Sequence, residues 1–168
     1  MKPRKPAGVG LDAVDRRLVL ALSADGREAA SGLARRLGLS RQAVAERIRD
    51  LERRGVIRGY RADVDPAALG LGVRAQIRLN LDGAAPGTRE REVLRRLAAS
   101  PFVRSVYRIS GEDCFLVSVV CRSIADVNDL LAHLRAARGV QSSRTSFVLE
   151  ALLDKSPLGP LETALAAE

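Results

Sequence analysis

The sequence predicts an α+β protein with two domains, an N-terminal winged helix-turn-helix and a C-terminal ferredoxin-like β-α-β-β-α-β domain. Two observations predict this division. The spacing of apolar residues changes near residue 72 from a helical period of about 3.6 to the strand period of about 2. The charge changes near the same point: residues 1–63 hold 15 Lys and Arg against 8 Asp and Glu, a net charge of +7, whereas residues 64–168 have a net charge of +1. We therefore expect a basic head (residues 11–63) that binds a polyanion and a nearly neutral body (residues 73–153) with another task.

The composition fits a globular protein and excludes several other classes. Hydrophobic residues make up 46% and charged residues 29% of the 168 residues, and no apolar run approaches the roughly 18 residues needed to span a bilayer. The basic N-terminus is not followed by an apolar h-region, so we expect no secretory signal and a cytoplasmic protein. A phosphate loop, a set of metal ligands and a nucleophile–base pair are all missing from the sequence. We therefore expect no enzyme activity, no cofactor and no metal.

Three helices are predicted in the head. Helix one (12–23) carries apolar residues at helical spacing, and helix two (30–37) ends at Gly38, a favourable residue for a helix stop. Helix three (41–54) begins after Ser40, a favourable N-cap, and a glycine follows it. Two helices joined by so short a turn are typical of a helix-turn-helix, in which the later helix lies in the major groove of DNA.

The polar face of helix three predicts how the head would bind DNA. Arginine pairs well with guanine and glutamine with adenine, so we expect Arg41 and Gln42 to contact base edges. Later arginines are expected to contact phosphates, which position the protein without reading the sequence, and Ser40 can bind a phosphate at the helix N-terminus. The predicted DNA-binding residues are Ser40, Arg41, Gln42, Ala45, Arg47, Arg49, Arg53, Arg54 and Arg58. The alternative is an ordinary helical hairpin whose arginines form a solvated face.

The segment after helix three, residues 56–62, has strand character and is predicted to form a short basic wing. The wing, the order of the three helices and the local charge together favour DNA binding over the plain hairpin. Aromatic residues make up only 3% of the chain, which is too few for the stacking platforms of proteins that read single-stranded RNA. Double-stranded DNA is therefore the expected partner.

The body is predicted to alternate strands with helices after a linker at 64–72. The predicted elements are strands at 73–81, 103–109, 114–121 and 145–149, helices at Thr88–Ala99 and 124–137, and a weak tail helix at 161–166. Four strands and two helices in this order make a split β-α-β sandwich with both helices on one face of the sheet. About 80 residues bury only a modest core. We therefore expect a partner subunit to cover the open face of the sheet.

Several short motifs, each degenerate alone, occur in an order and spacing that resembles the Lrp/AsnC (leucine-responsive, feast/famine) family of transcriptional regulators. They are Leu11-Asp-x-x-Asp-Arg-Arg17, Asp25-Gly-Arg27, Leu33-Ala-Arg-Arg-Leu-Gly-Leu-Ser40, Val44, Arg47-Ile48, Leu51-Glu-x-x-Gly-Val-Ile-x-Gly-Tyr60, Ser110-Gly111, Gly139-Val140 and Ser143-Arg144-Thr145. The resemblance covers residues 11–149. It implies a body of the RAM type that dimerises through its sheet, dimers that assemble into octameric discs, and effectors, commonly amino acids, bound in clefts between subunits.

The resemblance also implies an effector site in the body, at the loop before the third strand and at the approach to the last strand. The corresponding residues are Ser110, Gly111, Glu112, Asp113, Cys114, Ser143 and Thr145. Their chemistry suits an amino acid, because Gly111 lets backbone N–H groups approach a carboxylate and a loop acid can pair with an ammonium group. The alternative is a tight β-turn with two solvated acids.

Three positions depart from the pattern of the family. Cys114 stands where many members carry Asp, so the ligand need not be the usual free amino acid. Ala29 replaces the usual Ser or Thr cap of helix two, and Gly32 replaces a common Glu within it. Each change costs a helix about 1 kcal/mol, so we expect helix two to depend on its neighbours.

The two cysteines and the single histidine are expected to have no chemical role. Cys114 and Cys121 lie in one predicted strand, where their spacing prevents an intrachain disulfide. Buried structural thiols are favoured, and a redox-sensing Cys114 is the alternative. His133 falls beside the apolar stripe of a predicted helix, which indicates a surface or packing role.

The sequence therefore predicts a transcriptional regulator that binds double-stranded DNA, responds to a small-molecule effector and forms a homodimer or an octamer. Its expected segments are a basic tail (1–10), the head (11–63), a linker (64–72), the body (73–153) and a C-terminal tail (154–168). Two alternatives remain. One is an architectural DNA-compacting protein without an effector, and the other is a small-molecule-binding module that regulates an enzyme.

Overall fold

The computed structural model describes residues 10–82, 87–136 and 139–153. In this part of the chain two compact units form, one up to Ala62 and the other spanning Asp63–Leu152. None of the helices in these ranges is long and apolar enough to cross a membrane.

The first unit contains three helices in the order expected of a helix-turn-helix. They are α1 (Ala13–Ala24), α2 (Ala30–Leu37) and α3 (Arg41–Arg53). Ser40 caps α3, since its Oγ accepts a hydrogen bond from the backbone N–H of Ala43 at 3.1 Å. Ala29 stands at the N-cap of α2 and makes no side-chain hydrogen bond there. The second helix therefore depends on packing rather than on a cap, as its sequence predicts.

Apolar side chains from all three helices form the core of the head. The buried residues are Leu18, Leu33, Ala34, Val44 and Leu51. Two of them, Val44 and Leu51, lie two turns apart on α3, so one stripe of this helix faces the core and the opposite stripe faces solvent. This orientation exposes the polar residues of α3.

The strand predicted for the wing, residues 56–62, is wrong, because the structure describes this segment without any strand. Gly55 adopts a left-handed conformation with φ of 70° and reverses the chain. The backbone N–H groups of Val56 and Ile57 then donate to the carbonyl of Leu51 at 2.9 and 3.2 Å. Donors that would pair with another strand are thus used to close the end of α3.

The predicted linker contains a short 3₁₀-helix, Pro66–Leu69, which was not predicted from the sequence. Asp65 caps it, since its Oδ1 accepts a hydrogen bond from the N–H of Ala67 at 2.9 Å. Proline at the first position fits this role because its fixed φ suits a helix start and its missing N–H is not needed there.

The second unit has the predicted β-α-β-β-α-β order. Its elements are β1 (Val73–Leu81), α4 (Thr88–Ala99), β2 (Val103–Arg108), β3 (Phe115–Cys121), α5 (Ile124–Arg135) and β4 (Val140–Phe147). The strands form one antiparallel sheet in the order β2-β3-β1-β4. The α+β fold class and the ferredoxin-like arrangement are confirmed.

The last strand is longer than predicted and begins earlier. It pairs with β1 from Val140 opposite Leu81 to Phe147 opposite Ala75, whereas the prediction placed it at 145–149. Its first half is almost entirely polar, so no apolar alternation marks it as a strand. The predicted tail helix and most of both terminal tails lie outside the described residues.

The two faces of the sheet differ in chemistry. Ala75, Ile77 and Leu79 on β1 are buried beneath α4 and α5 together with apolar residues of β3. The residues between them, Arg74, Gln76, Arg78 and Asn80, point to the other face because side chains alternate along a strand. On that face the hydroxyl of Ser118 donates to Oε1 of Gln76 at 2.9 Å.

Candidate functional site

The exposed stripe of α3 contains the residues predicted to read bases. Arg41, Gln42 and Arg49 are exposed, and Ala45 is half-buried between two of them. Since Arg41, Ala45 and Arg49 are spaced by four residues, they lie on one side of the helix. Among the residues that the structure describes, Arg41, Arg49 and the exposed Arg58 make no ion pair. Their guanidinium groups therefore have no acidic partner that would compete with DNA.

Three other arginines predicted to contact phosphates are bound to carboxylates of the head. Arg47 Nη1 lies 2.6 Å from Asp12 Oδ2 and 2.7 Å from Asp15 Oδ1. Arg54 Nη1 lies 2.8 Å from Asp50 Oδ2 and 3.7 Å from Asp15 Oδ2. Arg53 Nη2 lies 2.6 Å from Asp50 Oδ1, although 74% of the Arg53 side chain remains exposed. The predicted DNA-binding set thus divides into unpaired and paired arginines.

The paired groups perturb one another electrostatically. The backbone N–H of Asp15 and the guanidinium of Arg47 hold the pKa of Asp12 below its usual value. The hydrogen bond from Arg54 likewise lowers the pKa of Asp50. Hydrogen bonds to Asp12 and Asp15 raise the pKa of Arg47. All of these shifts stabilise the charged forms.

The acidic partners in this network were not predicted from the sequence. Asp12 and Asp15 stand one helical turn apart, which the sequence shows, but their partner Arg47 is more than 30 residues away. Only the packing of α1 against α3 brings them together. Because such a pairing is long-range, no local pattern in the sequence could have indicated it.

The loop before β3 holds five of the predicted effector residues. Its ends are joined by a hydrogen bond from the N–H of Ile109 to the carbonyl of Cys114 at 3.1 Å. Cys114 N–H donates both to the carbonyl of Leu79 at 3.0 Å and to Oδ1 of Asn80 at 3.1 Å. Gly111 has a φ of 116°, which an L-residue rarely adopts. The loop is therefore a fixed turn that is anchored on β1.

The two acids of this loop face arginines of neighbouring strands. Asp113 Oδ1 accepts a hydrogen bond from Nδ2 of Asn80 at 3.1 Å, and its Oδ2 lies 3.9 Å from Nε of Arg78. Glu112 Oε2 lies 3.9 Å from Nη2 of Arg144, and both of these side chains are largely exposed. The two arginines are themselves opposite each other in the β1–β4 register. Arg78 and Asn80 were not among the predicted site residues, although the alternation in β1 places them on one face.

Within one chain, the other two predicted effector residues lie on the opposite face of the sheet. Ser143 and Thr145 pair with Leu79 and Ile77, so both hydroxyls point towards the helix-covered face and are half-buried. Arg144, between them, points to the same face as the loop acids. The structure thus brings Ser110 to Cys114 together and separates them from Ser143 and Thr145.

The two cysteines and the single histidine lie in different surroundings. Cys114 is half-buried and packs against the body core, and Cys121 is buried. Burial raises the pKa of the Cys121 thiol. His133 is exposed on α5. In the part of the chain that the structure describes, no group of three or more His, Cys, Asp or Glu could hold a metal ion.

Comparison with known families gives two matches that follow the two units. Residues 11–52 match the model of the AsnC-type helix-turn-helix domain, and residues 75–158 match that of the Lrp/AsnC ligand binding domain. The HTH-type transcriptional regulator AldR of Mycolicibacterium smegmatis is 36% identical over 157 residues, which is 93% of this chain and 91% of that protein.

Solved structures show the same similarity. The transcriptional regulator NMB0573 in complex with L-Met, from Neisseria meningitidis, superposes with a TM-score of 0.82 at 26% identity over 92% of this chain and 99% of that one. The leucine response regulatory protein LrpA of Mycobacterium tuberculosis has a TM-score of 0.76 at 36% identity, over 89% of this chain and 100% of that one. Both similarities extend across the head and the body.

Proposed function

Because this chain belongs to the Lrp/AsnC family of transcriptional regulators, we propose that it reads operator DNA through α3 and that an amino acid or related metabolite bound to its body changes that binding. It is a helix-turn-helix regulator and not an enzyme. A regulator of this kind acts where the DNA is, so we infer a cytoplasmic location. The architectural alternative predicts little sequence preference and no effector.

The observation that carries the DNA-binding proposal is the row of exposed polar side chains on α3, of which Arg41 and Arg49 make no ion pair with any residue that the structure describes. Arg41 and Gln42 stand at the start of the helix, where residues of a recognition helix meet base edges. Ser40, Ala45 and Arg49 complete this surface, and Arg58, which makes no ion pair among the described residues, supplies a phosphate contact. A dimer would place two such helices on half-sites roughly 34 Å apart.

The effector proposal depends on opposite charges at the loop before β3. Glu112 can pair with the ammonium group of an amino acid, while Arg144 and the N–H groups around Gly111 can bind its carboxylate. Asp113 is already bonded to Asn80, so it supports the loop rather than the ligand. The similarity to a regulator solved with L-Met supports this ligand class.

Assembly would complete the effector site. Ser143 and Thr145 can join the loop of Glu112 only across a boundary between subunits, because within one chain they lie on the other face of the sheet. We infer a homodimer that covers the polar sheet face, with an octamer as the next order of assembly. Effector binding at such an interface would change the assembly or the spacing of the heads, and so the set of operators bound.

Two experiments test this proposal. Selection of bound sequences from random duplex DNA should yield one operator motif, and R41A should relax its preference. The Tm of the full chain should rise with one of the 20 amino acids, and E112Q and R144Q should abolish that rise. R104Q, the control, replaces an exposed arginine of β2 and should show the same rise in Tm as the unaltered chain. If the selection yields no motif, the proposal that the chain binds a specific operator is refuted. If none of the 20 amino acids raises Tm, the proposed class of effector is refuted.

A further inference from the structure

Asp15 on α1 is the one buried charged residue in the part of the chain that the structure describes. Only 9% of its side chain is exposed. A carboxylate removed from water is costly unless cations and hydrogen bonds compensate for it. Here the compensating cations come from α3 and from its C-cap residue: Arg47 at 2.7 Å and Arg54 at 3.7 Å. The buried charge of the first helix therefore fixes the position of the third.

The same two arginines already donate hydrogen bonds within the head. Arg47 Nη1 bonds both Asp12 and Asp15. Arg54 Nη1 bonds Asp50, and its Nη2 donates to the carbonyl of Gly10 at 2.9 Å. A phosphate that drew these guanidinium groups away from the acids would leave the carboxylate of Asp15 buried and uncompensated.

Charge balance points the same way. Asp12, Asp15 and Asp50 carry three negative charges, and Arg47, Arg53 and Arg54 carry three positive charges. This cluster of six residues is neutral, so it presents no net positive charge to the DNA backbone. The unpaired arginines of the head are therefore the cations that counterion release would report.

We propose that Arg47 and Arg54 are positioning residues, which hold α3 against the buried carboxylate of Asp15 and do not contact DNA phosphates. This inference depends on the proposed DNA-binding function. It also revises the sequence-based prediction that both arginines bind phosphate.

The first test separates positioning from phosphate contact through the salt dependence of operator affinity. Each phosphate contact contributes about 0.9 to the slope of log K against log salt concentration, or about 1.8 for the two heads of a dimer. R58Q, the matched control, should lower the slope by this amount and leave Tm unchanged. R47Q should leave the slope unchanged and lower the affinity by the same factor at every salt concentration. It should also lower Tm by roughly 5 °C or more.

The second test uses D15N, which adds one unit of positive charge to the head without changing its shape. Electrostatics alone predicts tighter binding, whereas loss of the positioning contact predicts weaker binding with an unchanged slope. Circular dichroism should first confirm that the variant is folded at the assay temperature. The double variant D15N/R47Q should recover part of the Tm lost in R47Q, because no buried carboxylate is left unpaired.

A fall in slope for R47Q equal to that for R58Q, without a fall in Tm, would overturn the inference. Tighter binding by D15N would overturn it as well, and D15N decides the question even if R47Q does not fold. If the unaltered chain selects no operator, the proposed function fails. Recovery of Tm in the double variant would then still establish the ion pair but not its role in DNA binding.

Discussion

Replacing Asn80 by alanine should loosen the loop before β3 and weaken effector binding. Asn80 makes two side-chain hydrogen bonds to this loop, one to the carboxylate of Asp113 and one from the N–H of Cys114, both at 3.1 Å. At about 1 kcal/mol for the neutral bond and about 1.5–3 kcal/mol for the bond to a charged group, N80A should cost about 2.5–4 kcal/mol. For a domain of this size that loss lowers Tm by roughly 10–30 °C.

The affinity for the effector should fall because binding would have to order the loosened loop. If binding must supply about 1.4 kcal/mol to order the loop of N80A, affinity falls about tenfold. The measurements are Tm, hydrogen exchange of the loop amides, and a calorimetric titration with the amino acid found by thermal shift. Exchange of the amides from Ser110 to Asp113 should accelerate in N80A.

Q76A is the matched control for this prediction. Gln76 lies on the same strand and face as Asn80, but its hydrogen bond goes to Ser118 and not to the loop. It should lose about 1 kcal/mol, or about 4–8 °C in Tm, and keep its loop protection and effector affinity. Equal exchange and equal affinity in N80A and Q76A would refute the anchoring role of Asn80.

Three further predictions concern stability. L18A should cost about 2–5 kcal/mol in denaturant unfolding, because Leu18 is fully buried in the head core; a loss below 1 kcal/mol would contradict that packing. Hydrogen bonds from Arg95 and Arg96 lower the pKa of Glu92 from its usual 4.5 to about 2. The resulting stabilisation is present above pH 4.5 and is lost as the pH falls through about 2, and a Tm–pH profile should show this loss for the native chain but not for R95Q/R96Q. G139A should lower Tm, because φ is 122° and the new Cβ would lie 3.0 Å from a side-chain carbon of α4; an unchanged Tm would show that the turn relaxes.

Elements with local signals could be predicted from the sequence. Ser40 and Gly55 bracket α3, and both ends of that helix lie within one residue of the prediction. The alternation in Val73–Leu81 likewise predicted β1 with the same first and last residues that the structure shows. In both cases the residues that specify the element lie inside it or next to it, so the chain's own periodicity is sufficient.

Elements specified by distant partners could not be predicted in this way. The first half of β4 contains Gln141, Ser142, Ser143 and Arg144, a polar sequence that is typical of a loop. These residues form a strand because they pair with β1. The prediction of a strand in the wing was wrong for the opposite reason. Its apolar residues have strand propensity, but the N–H groups of Val56 and Ile57 bond to the end of α3. Tertiary hydrogen bonding overrides local propensity in both segments.

The candidate sites show the same limit. The residues of α3 that face solvent followed from its apolar stripe, so Arg41, Gln42 and Arg49 were identified directly. Arg47 was predicted to contact phosphate, because only the fold reveals that it meets Asp12 and Asp15. Charge along a helix indicates which side is polar, and not which cations are already neutralised.

The neutral cluster around Asp15 also limits how the head can be re-engineered. A graft that replaces only α3 and its C-cap residue would remove Arg47 and Arg54 and leave Asp12 and Asp15 without their partners. The first helix with its N-cap and the third helix with its C-cap therefore have to be exchanged together. Positions 41, 42, 45 and 49 lie outside the cluster. Under the proposed function, a library randomised at those four positions samples new operators while the scaffold that orients them stays intact.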